Sequence, residues 1–251
     1  MQMLKLPAIR GVIDRRILAN LRVDAAVLAA TLPAPFRPQL VNGYGIAGIC
    51  LIRLKSVRPR GMPAWIGVGS ENAAHRVAVE WNDGDAVRTG VYIRRRDTNS
   101  RFNALAGGRL FPGVHHHARF VVHETADELS LDMQSDDGAT AIQVRGRPSD
   151  AWPASSLFPT ADAASQFFAA GSLGYSNART PHAYQGLELH CHSWTATPLA
   201  IETIRSSYFD ERTIFPAGSI EFDNALLMRG IDHQWHSRGE LCCLAEGLRA
   251  P

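Results

Sequence analysis

Residues 17–37 read ILANLRVDAAVLAATLPAPFR, and they hold three structural statements in sequence order. Ile17 to Val23 is an apolar, branched run of strand length. Asp24 can cap the helix that follows it, DAAVLAATL (24–32), and Pro33 and Pro35 then stop that helix. The unit is a strand running directly into a short helix, closed by a proline turn.

Outward from this unit the chain reads as strand after strand. Tyr44 to Leu54 is a long one, and AHRVAVEW (74–81) alternates before an Asp-Gly turn leads into AVRTGVYIRR (86–95), a predicted hairpin. Thr98 to Gly108 reads as a short helix, capped by Asn99 or Ser100 and ended by Gly107-Gly108. Val114 to His123 is a strand, followed by ELSLDMQ, an Asp-Gly turn at 137–138, and ATAIQVRGR. TADAASQFFAA (160–170) is helical, and strands return at 186–194, 199–209, 219–222 and 230–235. Many strands, a few short helices and one continuous pattern predict a mostly β (α+β) fold, a curved or closed antiparallel sheet with helices against it. No repeat or linker divides residues 1–251, so a single domain is expected.

Composition narrows the function classes. The net charge is +2, and the acids nearly cancel a basic set that is almost all arginine, with only Lys5 and Lys55 as lysines. That balance argues against a nucleic-acid partner, and Arg94–Arg96 reads as a solvated strand end. Four cysteines (Cys50, Cys191, Cys242, Cys243) form no C-x-x-C pair, which suggests neither a disulfide framework nor a zinc knuckle. With no apolar leader and no long apolar run, a cytoplasmic protein without a membrane partner is expected.

Several of these stretches together resemble a known family. The opening unit at 17–37 is similar to that of acetoacetate decarboxylase. SVRPRGMP (56–63), Glu71-Asn72, Asp97 ahead of Arg101, the strand from Pro112 to Arg119, and GLELHCHSW (186–194) resemble the YqjF-like family of unknown function, which is similar in fold to that decarboxylase. The resemblance covers nearly the whole chain. It implies an acetoacetate-decarboxylase-like antiparallel β-barrel, cone-like, with flanking short helices and a central pocket. It supplies no reaction. The decarboxylase carries a lysine pair after its short helix, and by an ungapped placement Gly108 and Arg109 stand there. An arginine stays protonated and cannot form a Schiff base, and Lys55 lies in a different element.

The resemblance also sets Arg22 at a pocket arginine of the decarboxylase, and Glu71 in a region of acidic pocket residues. An Arg and a Glu on one cavity would suit a small carboxylate or carbonyl ligand, with Arg22 as anion anchor and Glu71 as acid-base group. His190 and Trp194 match the family's Gly-to-His-to-Trp element. His190 is then a pocket acid-base or hydrogen-bonding group, or a residue tying down backbone; Trp194 is a cavity wall or a plug. Arg101 aims into the pocket or pairs with Asp97, and Arg109 marks the missing lysine site as a ligand-binding candidate.

The histidines open one further route. On strands, His115 and His117 share a face, as do His190 and His192 with Glu188, so four imidazoles converge on a metal if the two strands are neighbours. Six residues separate His117 from Glu124, more than the three or four of the cupin-like pattern. The alternative is polar residues on a wet sheet face, and no cofactor is assigned. Cys191 has its neighbouring imidazoles on the opposite face, which makes it a poor nucleophile. Three readings stay open: lyase or isomerase chemistry on a small organic acid or carbonyl compound without a Schiff base, a non-catalytic binding or sensing barrel, and a histidine-based metal enzyme. Homo-oligomerisation is left open as well.

Overall fold

The computed structural model describes residues 8–109 and 112–242; Lys5, Cys243 and the side chain of Cys242 lie outside that description. The elements run β1 (Ile9–Asp24), α1 (Ala25–Ala30), β2 (Arg37–Pro38), β3 (Leu40–Val41), β4 (Tyr44–Pro59), β5 (Val68–Asp83) and β6 (Ala86–Thr98). They continue with α2 (Arg101–Ala106), β7 (His115–Glu124), β8 (Leu129–Ser135), β9 (Ala141–Pro148) and α3 (Ala161–Ala170). β10 (Leu173–Asn177), β11 (Ala183–Cys191), β12 (Thr197–Ser206) and β13 (Ile220–Cys242) complete the chain. The fold is mostly β, as the sequence predicts.

The strand pairings close on themselves twice. One ring runs β1-β4-β5-β6-β7-β8-β9-β12-β13 and returns to β1. The other leaves β6 for β10 and β11 and rejoins at β13. Both rings therefore share the wall β13-β1-β4-β5-β6. Two pairings, β6 with β7 and β6 with β10, are parallel, a departure from the all-antiparallel sheet expected.

This shared wall explains the opening stretch. A strand buried on both faces reads as a continuous apolar run, while a strand with one wet face alternates. In β1, Ile17, Ala19, Leu21 and Val23 enter one core, and Leu18 enters the other. In β4, Ile49 and Leu51 face the first core and Cys50 and Leu54 the second. The outer strand β8, LSLDMQS, alternates buried residues with half-buried or exposed ones. The second core is capped by α3, whose Phe168 and Ala164 are buried against the wall. Thr160 caps α3 and Ser100 caps α2 through their side-chain oxygens, whereas Asp24 makes no side-chain cap to α1.

Two departures from the sequence reading affect the site. β13 is one strand from Ile220 to Cys242, not two short ones, and this length lets it bond β1 and β11 with successive stretches. β10 has no alternation and begins at Leu173 just beyond α3, and it was not predicted.

Candidate functional site

A cavity of about 180 Å³ lies between the shared wall and the layer made by β10, β11 and the end of α3. Each element of the wall contributes through its second face. β1 brings Arg16, β4 brings Cys50, β5 brings Asn72 and Arg76, and β6 brings Arg96. Leu187 and Leu189 of β11, Phe168 of α3 and Trp235 of β13 supply apolar lining, and His115 stands where β7 begins.

Three guanidiniums border this cavity, and none has a carboxylate within salt-bridge distance among the described residues. Arg76 is 4% exposed, donates to Asn20 Oδ1 at 2.5 Å and lies 4.6 Å over the Phe168 ring. Its Nε has no partner. Burial pushes the Arg76 guanidinium down to about 10, with Cys50 opposing and Arg16 adding to the fall. Arg96 donates to Ser176 Oγ at 2.9 Å, and burial takes it to about 10 as well. Both remain charged at neutral pH. Arg16 donates from Nε to Cys50 Sγ at 3.4 Å and lies 5.2 Å over the Trp194 ring, while its buried Nη1 has no partner.

His115 sits beside them. Its Nδ1 lies 2.9 Å from the Gly113 carbonyl. A carbonyl only accepts, so Nδ1 carries the proton and Nε2 is the basic nitrogen of the neutral ring. Burial, then the Arg96 charge, push its pKa down to about 3, so the ring is neutral at physiological pH.

The residues singled out from the sequence lie mostly elsewhere. Arg22 donates to Glu221 Oε2 from Nε at 3.1 Å and to the Ser155 carbonyl from Nη1 at 2.7 Å, in a separate cleft near Tyr44. Glu71 faces the first ring, held by Arg15 at 2.6 Å and Arg53 at 2.6 Å. Arg22 and Glu71 thus do not face one cavity, because β5 sends Asn72 to the cavity side and Glu71 to the other. Arg101 is exposed at the start of α2, and Asp97 is taken instead by Arg95 at 2.9 Å. Arg109 donates to the Leu105 carbonyl at 2.8 Å on the surface.

On β11 the leucines face the cavity and the histidine does not. His190 lies 2.7 Å from Glu188 Oε2, and its ring is 4.7 Å from that of His236. Trp194 donates to Ser165 Oγ at 2.9 Å and backs the cavity indirectly, through Arg16. The four imidazoles do not converge: β7 bonds β6 and β8, whereas β11 bonds β10 and β13. His117 pairs with Asp136 at 2.7 Å, and His192 is exposed. Among the described residues no three His, Cys, Asp or Glu side chains gather in a metal-holding group. Arg94–Arg96 is a solvated end only at Arg94, which is exposed and lies 4.9 Å over Tyr208; Arg95 bridges Asp97 and Asp137, and Arg96 borders the cavity.

Arg16, Arg76 and Cys50 carried no motif, yet one signal was present. In HRVAVEW the alternation sets Val77, Val79 and Trp81 on one face and Arg76 on the other with Ala78, and a short alanine opposite large apolar residues marks a second enclosed face.

No described helix is long and apolar enough to cross a membrane. A family model described as an uncharacterized conserved protein, DUF2071, matches residues 13–227. No curated protein matches. The solved acetoacetate decarboxylase of Legionella pneumophila is similar over 96% of this chain and 90% of its own, at 12% identity and a TM-score of 0.57. An acetoacetate decarboxylase-like enzyme from Sphingomonas wittichii RW1 matches over 94% and 93%, at 15% identity and a TM-score of 0.57. The enduracididine biosynthesis enzyme MppR, solved with pyruvate, matches over 95% and 91%, at 10% identity and a TM-score of 0.56. At these identities the likeness is one of fold.

Proposed function

Since the chain belongs to the DUF2071 family of uncharacterized conserved proteins, which brings no reaction with it, we propose a function from the cavity itself: it binds a small organic acid, a carboxylate that carries a carbonyl. The observation that supports this is the pair of charged guanidiniums, Arg76 buried and Arg96 half-buried, facing a mostly apolar cavity with no carboxylate partner. A buried charge without a counter-charge is costly, and an anion with two oxygens offsets that cost through paired N–H donors. An engineered cavity of about 150 Å³ accommodates benzene, so the space here suits an acid of a few carbons. MppR, of the same fold, was solved with pyruvate.

The places in the cavity sought for Arg22, Glu71 and His190 are taken by Arg76, Arg96 and His115, because the first three are engaged outside the cavity. His115, held neutral beside Arg96 with a pKa of about 3, is too weak a base to take a proton at neutral pH and serves as a polar part of the cavity wall. Any turnover is of a lyase or isomerase kind that uses no Schiff base. Lys55 is spent on Asp14 at 2.7 Å, its side chain 58% exposed, and no lysine borders the cavity among the described residues.

Thermal melting with pyruvate and with acetoacetate tests the reading. At about 100-fold excess over Kd, binding adds about 2.7 kcal/mol, a rise of roughly 5–10 °C for a chain of this size. Arg96→Met should lose the rise, and borohydride should trap no adduct. No shift with either acid, or an undiminished shift in Arg96→Met, refutes the proposal.

A further inference from the structure

Cys50 has a place in this cavity that packing alone does not explain. It is 8% exposed, and its remaining access is to the cavity that it lines. Arg16 directs Nε at its sulfur from 3.4 Å, although a thiol is a weak acceptor and the same guanidinium leaves Nη1 buried without a partner. Arg76, 96% buried, borders the same space with Nε unpartnered. Cys50 is also the group that opposes the effect of burial on both Arg76 and Arg96, so the sulfur lies within electrostatic reach of both. The attacking form of a cysteine is the thiolate. Cys191 differs: burial pushes its thiol up, with the Arg16 charge opposing, and it borders no part of the cavity.

Resting on the anion-binding reading above, we propose that Cys50 is a nucleophile that adds to the carbonyl carbon of an oxo acid held by Arg16, Arg76 and Arg96. An S–C bond forms as the C–O π bond breaks. The π electron pair goes to oxygen, and that oxygen takes the proton given up by the thiol. The product is a hemithioketal, and no oxidant, reductant or leaving group is involved. The arginines hold the carboxylate, Arg16 also steadies the sulfur, and the apolar walls exclude the water that would compete for the carbonyl.

The test compares iodoacetate with iodoacetamide on the whole protein, with each cysteine followed by peptide mass mapping. With iodoacetate the S–C bond forms as iodide leaves, and the anionic reagent borrows the proposed carboxylate site. Cys50 should react at least tenfold faster than Cys191, faster with iodoacetate than with the neutral amide, and pyruvate should slow it. Arg16→Gln should reduce the Cys50 rate about tenfold. Pyruvate labelled with carbon-13 at its carbonyl should give an upfield hemithioketal resonance in the wild type and none in Cys50→Ala or Cys50→Ser. If pyruvate raises the melting temperature of wild type and Cys50→Ala alike while Cys50 reacts no faster than Cys191, this inference is overturned and anion binding stands. If pyruvate neither shifts melting nor protects Cys50, anion binding falls, and the inference with it.

Discussion

Arg15 Nη2 and Glu71 Oε2 lie 2.6 Å apart inside the first ring, with the Arg15 side chain fully buried and that of Glu71 12% exposed. Glu71 also holds Arg53, and both arginines reach Glu124, at 3.1 and 2.9 Å. Glu124 also pairs with Arg229 of β13, and Arg53 also reaches Asp14 at 3.5 Å, so the charge network spans β1, β4, β5, β7 and β13. Removing one partner of such a buried set leaves charge without compensation, which costs about 3 kcal/mol. Glu71→Gln should lower stability to urea by about that amount and leave the pyruvate-induced melting shift intact. Loss of pyruvate binding with unchanged stability would return Glu71 to the ligand site.

Stability should fall between pH 6.5 and 4, and His75 is one cause. His75 is 1% exposed, with Nε2 2.9 Å from Ser206 Oγ. Burial, then Arg95 and Arg94, push its pKa down to about 4. In the unfolded chain it titrates near 6.5. Between these values the unfolded state binds the extra proton, so the stabilisation is complete above 6.5 and drains away as pH falls toward 4. The slope is about 1.4 kcal/mol per pH unit for each such group, and His233, likewise held to about 4 by burial, and His115, held to about 3, add two more. Urea unfolding from pH 7 to 4.5 should show this decline, and His75→Gln should flatten it by roughly a third. An equal slope in the variant would place the proton uptake elsewhere.

How much of this was legible follows from what one strand can say about its two faces. The run ILANLRV announces a strand buried on both sides, and the alternation of LSLDMQS announces one with a wet face, so the class of fold could be read directly. The second ring could not. It depends on β10, five residues from Leu173 to Asn177, and on the reach of β13 to Cys242, neither of which has a local pattern. Without that ring the polar positions of β1, β5 and β6 read as solvent-facing, and Arg96 read as part of a charged strand end. Arg22 and Glu71 were sought in the cavity by analogy with a distant relative. Glu71 occupies the opposite face of its strand, and Arg22 the far end of its own, next to Glu221.

Arg76 should trade stability for function. A buried guanidinium without a carboxylate partner is a burden on the empty protein, and replacing buried charge with a well-packed apolar side chain is often stabilising by about 1–4 kcal/mol. Met matches its length and can keep contact with Phe168, though Asn20 Oδ1 loses its donor at a cost of about 1 kcal/mol. Arg76→Met should therefore melt a few degrees higher than the wild type without ligand and respond less to pyruvate. A lower melting point would mean that Arg76 serves the packing of the wall instead.

The cavity should also respond to a residue that contributes no side chain. Gly113 has φ +86°, and a Cβ there would stand 3.0 Å from Arg96 Nε and 3.1 Å from Ser176 Cβ. The positive φ strains any L side chain, and the two contacts fall on the donor–acceptor pair that fixes Arg96. Gly113→Ala should lower stability by about 1–2 kcal/mol. Because Arg96 must shift to admit the methyl group, pyruvate affinity should fall at least tenfold in titration calorimetry, more than the modest stability loss alone would cause in a protein that remains folded. Gly138, also at positive φ (+70°) but with nothing within 4 Å of its Cβ, is the control. Gly138→Ala should carry a similar backbone penalty and bind pyruvate as the wild type does. Equal affinities in the two variants would show that Arg96 is not the anion's partner, whatever the stability data say.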